Sequence, residues 1–342
     1  MPSYNGQLPA LLPAFLGAAA CVAFARMGFL APFFLLPLGI LGHRFPSKIF
    51  WTSTLIAAAL NFLVSSVAAR VAGNVSSAAV FADSLYFSVL IMGFSWILSP
   101  PSALPAFLPS FLKIRASYRI VLAALGASVA LWPMVAVAQG DATFLNYLRL
   151  QAEAITKIYS ESSGSDVVQK SMVEQYITPE LIIETMGFLA LRGAAAASHV
   201  VFLFLSFRFS QAISRSPIRK MSSFAVYKTE AYAIWIFSLS LLLVLLGSVL
   251  KVQALEIGAW NVLLLCSFLY LAQGFGILVF FLARPGFPLF FRFLIQTLII
   301  LAVFSPGINA VVAGGFILLG IAENWLPLRA STSNAPTSTP RS

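Results

Sequence analysis

Residues 178–207 read TPELIIETMGFLALRGAAAASHVVFLFLSF, and this stretch decides the class of fold. Thr178 is a suitable N-cap and Pro179 suits the first helical position, so a helix start is well defined here. The apolar run over residues 181–207 would be roughly 40 Å long as a helix, which exceeds the roughly 30 Å hydrocarbon core of a bilayer. The sequence therefore predicts one membrane-spanning helix with Arg192 near mid-depth.

The composition of the whole chain is that of a membrane protein with many spans. Hydrophobic residues make up 60% of the sequence and charged residues only 9%, whereas charged residues make up about a quarter of a soluble domain. The apolar runs have the length of spanning helices, and the two-residue alternation of a membrane β-barrel is absent. We therefore expect an all-α, polytopic transmembrane helix bundle with about eight to ten spanning segments.

Ten apolar segments are recognisable along the chain. They cover residues 8–25, 29–42, 49–69, 79–98, 118–138, 181–207, 231–250, 257–282, 288–304 and 307–322. The second segment contains Pro32 and Pro37, which favours a broken or re-entrant helix. The last two segments meet at Ser305-Pro306-Gly307, which predicts a tight turn.

The basic residues predict how the bundle is oriented. With a cytoplasmic N-terminus, fourteen Lys and Arg residues fall on the cytoplasmic side and six on the outer side, as the positive-inside rule favours. Membrane orientation, rather than nucleic-acid binding, then explains the net charge of +10. We expect a bacterial inner-membrane protein with both termini in the cytoplasm. Residues 1–329 would form a single transmembrane domain with an external amphipathic hairpin at 139–178, followed by a disordered cytoplasmic tail at 330–342.

Arg192 is the most informative polar residue inside a predicted span. A charge at mid-depth costs at least about 2.5 kcal/mol, so it normally faces a cavity or a partner inside the bundle. His199 follows seven residues later, nearly on the same helical face. This stripe predicts either the wall of a cavity that binds a polar or anionic ligand, or a structural pairing of Arg192 with Asp83 or with backbone carbonyls.

Three further polar residues complete the candidate ligand-binding set. Asp83 lies about one turn into the fourth segment, where it lines the same cavity or is an interfacial carboxylate at a helix start. Gln273 and Gln296 lie near the middle of the eighth and ninth segments. Buried amides usually bridge helices, so these two either hold the bundle together or face the pocket. The candidate ligand-binding residues are therefore Arg192, His199, Asp83, Gln273 and Gln296.

The sequence contains no recognisable catalytic or metal-binding pattern. It has no HExxH, Walker or Ser-His-Asp arrangement and only two histidines. Cys21 and Cys266 both lie in apolar segments without a second ligand at metal-binding spacing, which favours two small core residues. We therefore expect neither an enzyme nor a metal ion or other cofactor.

Two C-terminal motifs carry a resemblance to a known family. They read YLAQGFGI over Tyr270–Ile277 and LGIAENWLPLR over Leu319–Arg329. Together with the turn at Pro37–Arg44, they resemble the YybS-like family of polytopic bacterial inner-membrane proteins, whose function is unknown. The layout is more faintly similar to the substrate-binding components of energy-coupling-factor transporters. That similarity implies an outward-facing pocket for a small molecule, with ATPase or coupling subunits on separate chains.

Two functional interpretations follow from these features. In the first, the protein binds or transports a small polar or anionic solute in a cavity lined by the sixth segment, with Arg192 as the charge contact. In the alternative, it is a non-transporting scaffold or regulatory protein whose basic loop Arg208–Lys228 docks a partner protein or anionic lipid. The lipid bilayer surrounds the chain in both cases, and no nucleic-acid partner is expected.

Overall fold

The computed structural model describes residues 7–72, 77–99, 115–139, 192–193, 195–214, 224–284, 286–305 and 308–329, together with a few single positions between 146 and 184. Within these residues all regular structure is helical, which confirms the predicted all-α bundle. Six of the described helices are long and apolar enough to cross a membrane, and shorter apolar helices accompany them. The predicted hairpin at 139–178 and tail at 330–342 lie largely or wholly outside the described residues.

The described α-helices follow the predicted segments closely. They are α1 Gln7–Arg26, α2 Leu36–Arg44, α3 Ser47–Ala72, α4 Ser77–Leu98, α5 Ala116–Gln139, α6 Ala195–Ser214, α7 Ala233–Leu250, α8 Gln253–Leu282, α9 Leu289–Phe304 and α10 Ile308–Ala322. The predicted break in the second segment is confirmed, because a 3-10 helix over Gly28–Phe33 precedes α2 and contains Pro32. Pro37 lies in the first turn of α2, where its missing N–H leaves no helical hydrogen bond unmade.

The structure describes the start of the sixth segment at a few positions. Thr178 is an N-cap as expected, since its hydroxyl oxygen accepts the backbone N–H of Leu181 at 3.2 Å. Gly193 has a φ of +116°, a backbone conformation that only glycine adopts readily, so the backbone departs from ideal helix geometry at this position. The described helix α6 begins at Ala195 and continues to Ser214. These 20 residues form about 30 Å of helix, which is enough to cross a bilayer.

The helices divide into two compact units. The first comprises residues 1–220 and 244–262, and the second comprises residues 221–243 and 263–342. Helices α1 to α6 belong to the first unit, whereas α9 and α10 belong to the second. Each unit has its own packing and its own polar network.

In the first unit, α4 packs against α3 and α5, and α6 packs against α2 and α5. The ring of Phe34, beside α2, lies 5.3 Å from that of Phe87 on α4 and 5.7 Å from that of Phe202 on α6. The short helix α2 approaches α6 closely, since a Cβ on Gly39 would lie 2.3 Å from the Cβ of Ser210. The broken second segment thus fills the space between α4 and α6 and fixes how their polar side chains meet.

In the second unit, α8 and α10 approach each other through two glycines. A Cβ on Gly274 would lie 1.9 Å from the carbonyl oxygen of Phe316, and one on Gly320 would lie 2.1 Å from that of Tyr270. Both distances are too short for any side chain, so this packing requires glycine at each position. The two motifs that carry the family resemblance therefore meet at this contact.

Candidate functional site

Four polar side chains from three helices converge in the first unit. We call Arg26, Asn61, Ser65 and Asp83 the Arg26 cluster. Arg26 is the last residue of α1, Asn61 and Ser65 lie one turn apart in the second half of α3, and Asp83 lies in the second turn of α4. The chain runs in opposite directions along α3 and α4, so these positions meet at one end of the unit.

The Arg26 guanidinium is the centre of this cluster. Its Nη2 donates to the Asp83 Oδ2 at 2.6 Å, to the Ser65 Oγ at 2.6 Å and to the Asn61 Oδ1 at 2.8 Å. The Ser65 hydroxyl donates in turn to the Asp83 Oδ2 at 2.7 Å. The guanidinium carbon also lies 5.2 Å from the ring centroid of Phe87, within range of a cation–π contact.

The cluster is partly open to solvent and has one unused donor. The side chains of Arg26 and Asp83 are 32% and 23% exposed, so the described helices do not fully enclose either charge. Asn61 is buried, and its Nδ2 has no hydrogen-bond partner within the described structure. Since a guanidinium only donates hydrogen bonds, the contact from Arg26 fixes the carbonyl end of the Asn61 amide and leaves the NH₂ end free.

His199 makes a second set of polar contacts, one of which is to a residue of α4. Its Nε2 is 2.9 Å from the Tyr86 hydroxyl, and its Nδ1 is 3.2 Å from the Ser128 hydroxyl of α5. Tyr86 follows Asp83 by three residues and Phe87 follows it by four, so all three lie on one face of α4. Polar side chains from α1, α3, α4, α5 and α6 are therefore arranged along a single face of α4.

Arg192 and Asp83 do not pair with each other. The Arg192 Nη2 donates to the Glu256 Oε2 at 3.0 Å, and these side chains are 19% and 14% exposed. Glu256 lies in the first turn of α8, where the helix dipole favours a carboxylate. The pairing of Arg192 with Asp83 that the sequence allowed is thus corrected: Arg26, placed at the matching end of the neighbouring helix α1, is the cation that neutralises Asp83.

Gln273 belongs to a closed network in the second unit. Its Oε1 accepts the backbone N–H of Thr229 at 2.7 Å, and its Nε2 donates to the Glu323 Oε2 at 2.9 Å. Arg329 donates from Nε to the Glu323 Oε1 at 2.6 Å and from its terminal nitrogens to the carbonyls of Ala225 and Tyr227 at 2.8 and 2.7 Å. Glu323 is only 4% exposed, and the network fastens residues 225–229 to α8 and to the segment after α10.

Gln296 lies apart from both groups. It is on α9 in the second unit, and its side chain is exposed on the surface of the described helices. The five residues selected from the sequence are thus distributed over separate places: Asp83 and His199 share the face of α4, Gln273 lies in the closed network, and Arg192 pairs with Glu256. A ligand contact at Arg192, Gln273 or Gln296 stays a prediction.

Sequence reasoning missed Arg26 and Ser65 as members of the site. In the sequence Arg26 is one of the six basic residues predicted on the outer side, and Ser65 is one of many serines in apolar segments. The usable signal was positional, because Arg26 ends the first span and Asp83 begins the fourth, so opposite charges occur at the same predicted depth. Among the described residues, no group of three His, Cys, Asp or Glu side chains is placed to hold a metal ion.

A family model described as a predicted membrane protein (DUF2232) matches residues 103–317. The chain belongs to this family. Members of DUF2232 are described as membrane proteins, in agreement with the six long apolar helices and with the expectation of an uncharacterised multi-pass protein. No significant match was found to a curated protein or to a solved structure.

The DUF2232 match covers only part of the site. It includes Ser128, His199 and Gln273, whereas the Arg26 cluster lies before residue 103 and Glu323 and Arg329 lie after residue 317. The narrower YybS-like assignment and the similarity to energy-coupling-factor components stay predictions.

Proposed function

We propose that this DUF2232 protein binds a small polar solute at the Arg26 cluster and acts in its uptake or transfer across a bacterial inner membrane. The observation that carries the proposal is a partly exposed Arg26–Asp83 pair beside the unpartnered Nδ2 of Asn61. Helix α6 contributes His199 to the adjoining face of α4, which agrees with a solute site bordered by the sixth segment. The charge contact is assigned to Arg26, whereas the sequence favoured Arg192.

The contrast with the second unit supports a binding role for this cluster. The Glu323–Arg329 pair is 4% and 11% exposed, and every contact around it joins one part of the unit to another. That arrangement is typical of structural polar networks, in which buried charges are neutralised and hydrogen-bonded. The Arg26–Asp83 pair has several times that exposure, so its charged groups are less enclosed by their unit than those of Glu323 and Arg329.

The proposal assigns binding, and no catalytic chemistry or cofactor, to this chain. Energising the transfer would require ATPase or coupling subunits on separate chains, as the similarity to energy-coupling-factor components implies. Both termini would lie in the cytoplasm, which places the C-terminal end of α1 and the N-terminal end of α4 at the outer side. The Arg26 cluster would then open outward, where a solute arrives.

Ligand-induced thermal stabilisation tests the proposal. The full chain in lipid nanodiscs would be screened against small carboxylates, amino acids, amines and sugars, and we expect at least one class to raise the unfolding temperature. Ser65→Ala removes a hydroxyl of the cluster, whereas Ser66→Ala removes an exposed hydroxyl that bonds only to the Phe62 carbonyl of its own helix. Ser65 bonds to both Arg26 and Asp83, the two charged groups that would hold the solute. Loss of a hydrogen bond that positions such a charged group would weaken binding by about 1.5 kcal/mol in Ser65→Ala, roughly tenfold.

Two results would contradict the proposal. One is that no compound class shifts the unfolding temperature of the wild-type protein. The other is that Ser65→Ala and Ser66→Ala respond to the stabilising compound with equal affinity, which would place its site elsewhere.

A further inference from the structure

Resting on the proposed function, we infer that the Arg26 cluster selects a zwitterionic solute, a molecule that carries an ammonium group and an acidic oxygen group close together. The acidic group would bind the Arg26 guanidinium and the Asn61 Nδ2, and the ammonium would bind the Asp83 carboxylate. The Arg26 Nη2 and the Asp83 Oδ2 are 2.6 Å apart. The solute would separate this pair, and each of the two side chains would then pair with the opposite charge of the solute.

The charge balance of the site favours a zwitterion over a simple ion. An anion that takes Arg26 away from Asp83 would leave that carboxylate without its cation and beside a second negative charge. A cation that binds Asp83 in place of Arg26 would leave the guanidinium without its carboxylate and beside a second positive charge. Like charges at such short range repel each other, and the repulsion is stronger than in bulk water because both side chains are partly buried. A zwitterion satisfies both side chains and leaves the net charge of the site unchanged.

The hydrogen-bonding groups supply a separate argument for the acidic end. The Asn61 Nδ2 is a buried donor that has no partner in the described structure, and it belongs to the amide whose oxygen already contacts Arg26. A buried donor without an acceptor is unfavourable, so an acceptor beside Arg26 would be bound by both groups. A carboxylate or phosphate has the two oxygens needed for this contact, and Arg binds either in a bidentate manner.

Neighbouring side chains set the polarity of the surroundings. The ring of Phe87 lies against the Arg26 guanidinium, and Tyr86 is engaged with His199. Neither adds a full charge next to Asp83, so the cluster itself holds one cation and one anion. An ammonium group and an acidic oxygen group occur together in a free amino acid and also in the headgroup of phosphatidylethanolamine. The test must therefore distinguish a free solute from a lipid headgroup.

The test compares amino acids with derivatives in which one of the two charged groups is neutralised. Wild-type protein in phosphatidylglycerol nanodiscs would be titrated with α-amino acids, with their N-acetyl derivatives, which are anions, and with their amides, which are cations. We expect the amino acids to raise the unfolding temperature and both derivatives to bind at least about tenfold more weakly. If the source is the lipid, replacing part of the phosphatidylglycerol by phosphatidylethanolamine would give the stabilisation and abolish the response to amino acids.

A charge variant provides a readout that a structural role would not give. Asp83→Asn keeps the size of the side chain and leaves Arg26 as the only charge of the cluster, so the N-acetyl derivatives should now bind as well as the amino acids. Ser66→Ala should keep the wild-type preference. If Asp83→Asn does not fold, the preference of the wild-type protein among the three compound classes decides the matter.

The outcomes separate this inference from the proposed function. If only anionic or only neutral compounds stabilise the protein, and Ser65→Ala weakens them, solute binding at the cluster stands and the zwitterion preference is wrong. If neither amino acids nor phosphatidylethanolamine stabilise the chain more than their singly charged counterparts, the inference is overturned.

Discussion

The contact between α8 and α10 allows a prediction whose size follows from the structure. A Cβ on Gly320 would lie 2.1 Å from the Tyr270 carbonyl oxygen and 3.1 Å from the Gly274 nitrogen. These are backbone atoms and cannot rotate away, so Gly320→Ala would force the two helices apart by about 1 Å. Overpacking of this kind typically costs about 1 to 3 kcal/mol. We expect Gly320→Ala to lower the free energy of unfolding by that amount.

Gly315→Ala is the matched control on the same helix. A Cβ at Gly315 would meet nothing within 4 Å, so the added methyl group creates no clash within the described structure. Alanine is also the better helix former by about 1 kcal/mol in soluble hosts. The control should therefore be as stable as the wild-type protein or slightly more stable.

Equilibrium unfolding in mixed micelles, with increasing SDS and circular dichroism as the readout, measures both variants under the same conditions. Gly274→Ala, on the opposite helix, should resemble Gly320→Ala, because its Cβ would lie 1.9 Å from the Phe316 carbonyl oxygen. The reasoning is refuted if Gly320→Ala unfolds at the same SDS fraction as the wild-type protein. It is equally refuted if Gly315→Ala is destabilised to the same extent, since the penalty would then not arise from the α8–α10 contact.

Three further predictions concern charge, topology and partners. Arg329→Met leaves the Glu323 carboxylate buried without its cation, and we expect a loss of about 3 to 5 kcal/mol in the same SDS assay; Arg149→Met, which among the described residues breaks two exposed pairs at 3.6 Å, should cost less than about 1 kcal/mol. Equal losses for the two variants would contradict this. In a cysteine-accessibility map, Gly164→Cys in the predicted external hairpin should react with a membrane-impermeant reagent from outside, and labelling from the cytoplasm would overturn the proposed orientation. Affinity purification of the tagged chain from its native membrane in mild detergent should recover ATPase and coupling subunits at near-stoichiometric yield, whereas their absence would favour a scaffold.

The structure places the two family-like motifs in one network that the sequence does not reveal. Gln273 and Gly274 lie in the first motif, and Gly320, Glu323 and Arg329 lie in the second, about 50 residues further along the chain. The glycines allow α8 and α10 to approach, and that approach allows Gln273 to reach Glu323. The buried amide thus bridges elements of the second unit, which was one of the two roles that the sequence left open.

The sequence by itself determined the class of fold and most helix positions. Apolar runs of spanning length must form helices in a bilayer, because each backbone N–H and C=O needs a partner within its own segment. Local chemistry added detail, as in the Pro32–Pro37 break before α2 and the Thr178 N-cap. These features depend on residues that are close in sequence, so they can be predicted without knowledge of the contacts between helices.

Only the tertiary structure decided which polar residues share a site. The sequence offered Arg192 as a partner for Asp83, but Arg192 binds Glu256 instead. Arg26 became the partner of Asp83 because α1, α3 and α4 bring their ends together, although 57 positions separate the two residues. Hydropathy gives the length of each span and says nothing of its rotation or neighbours, which are fixed by side-chain packing between helices. The candidate site therefore depends on packing, whereas the membrane fold depends on composition.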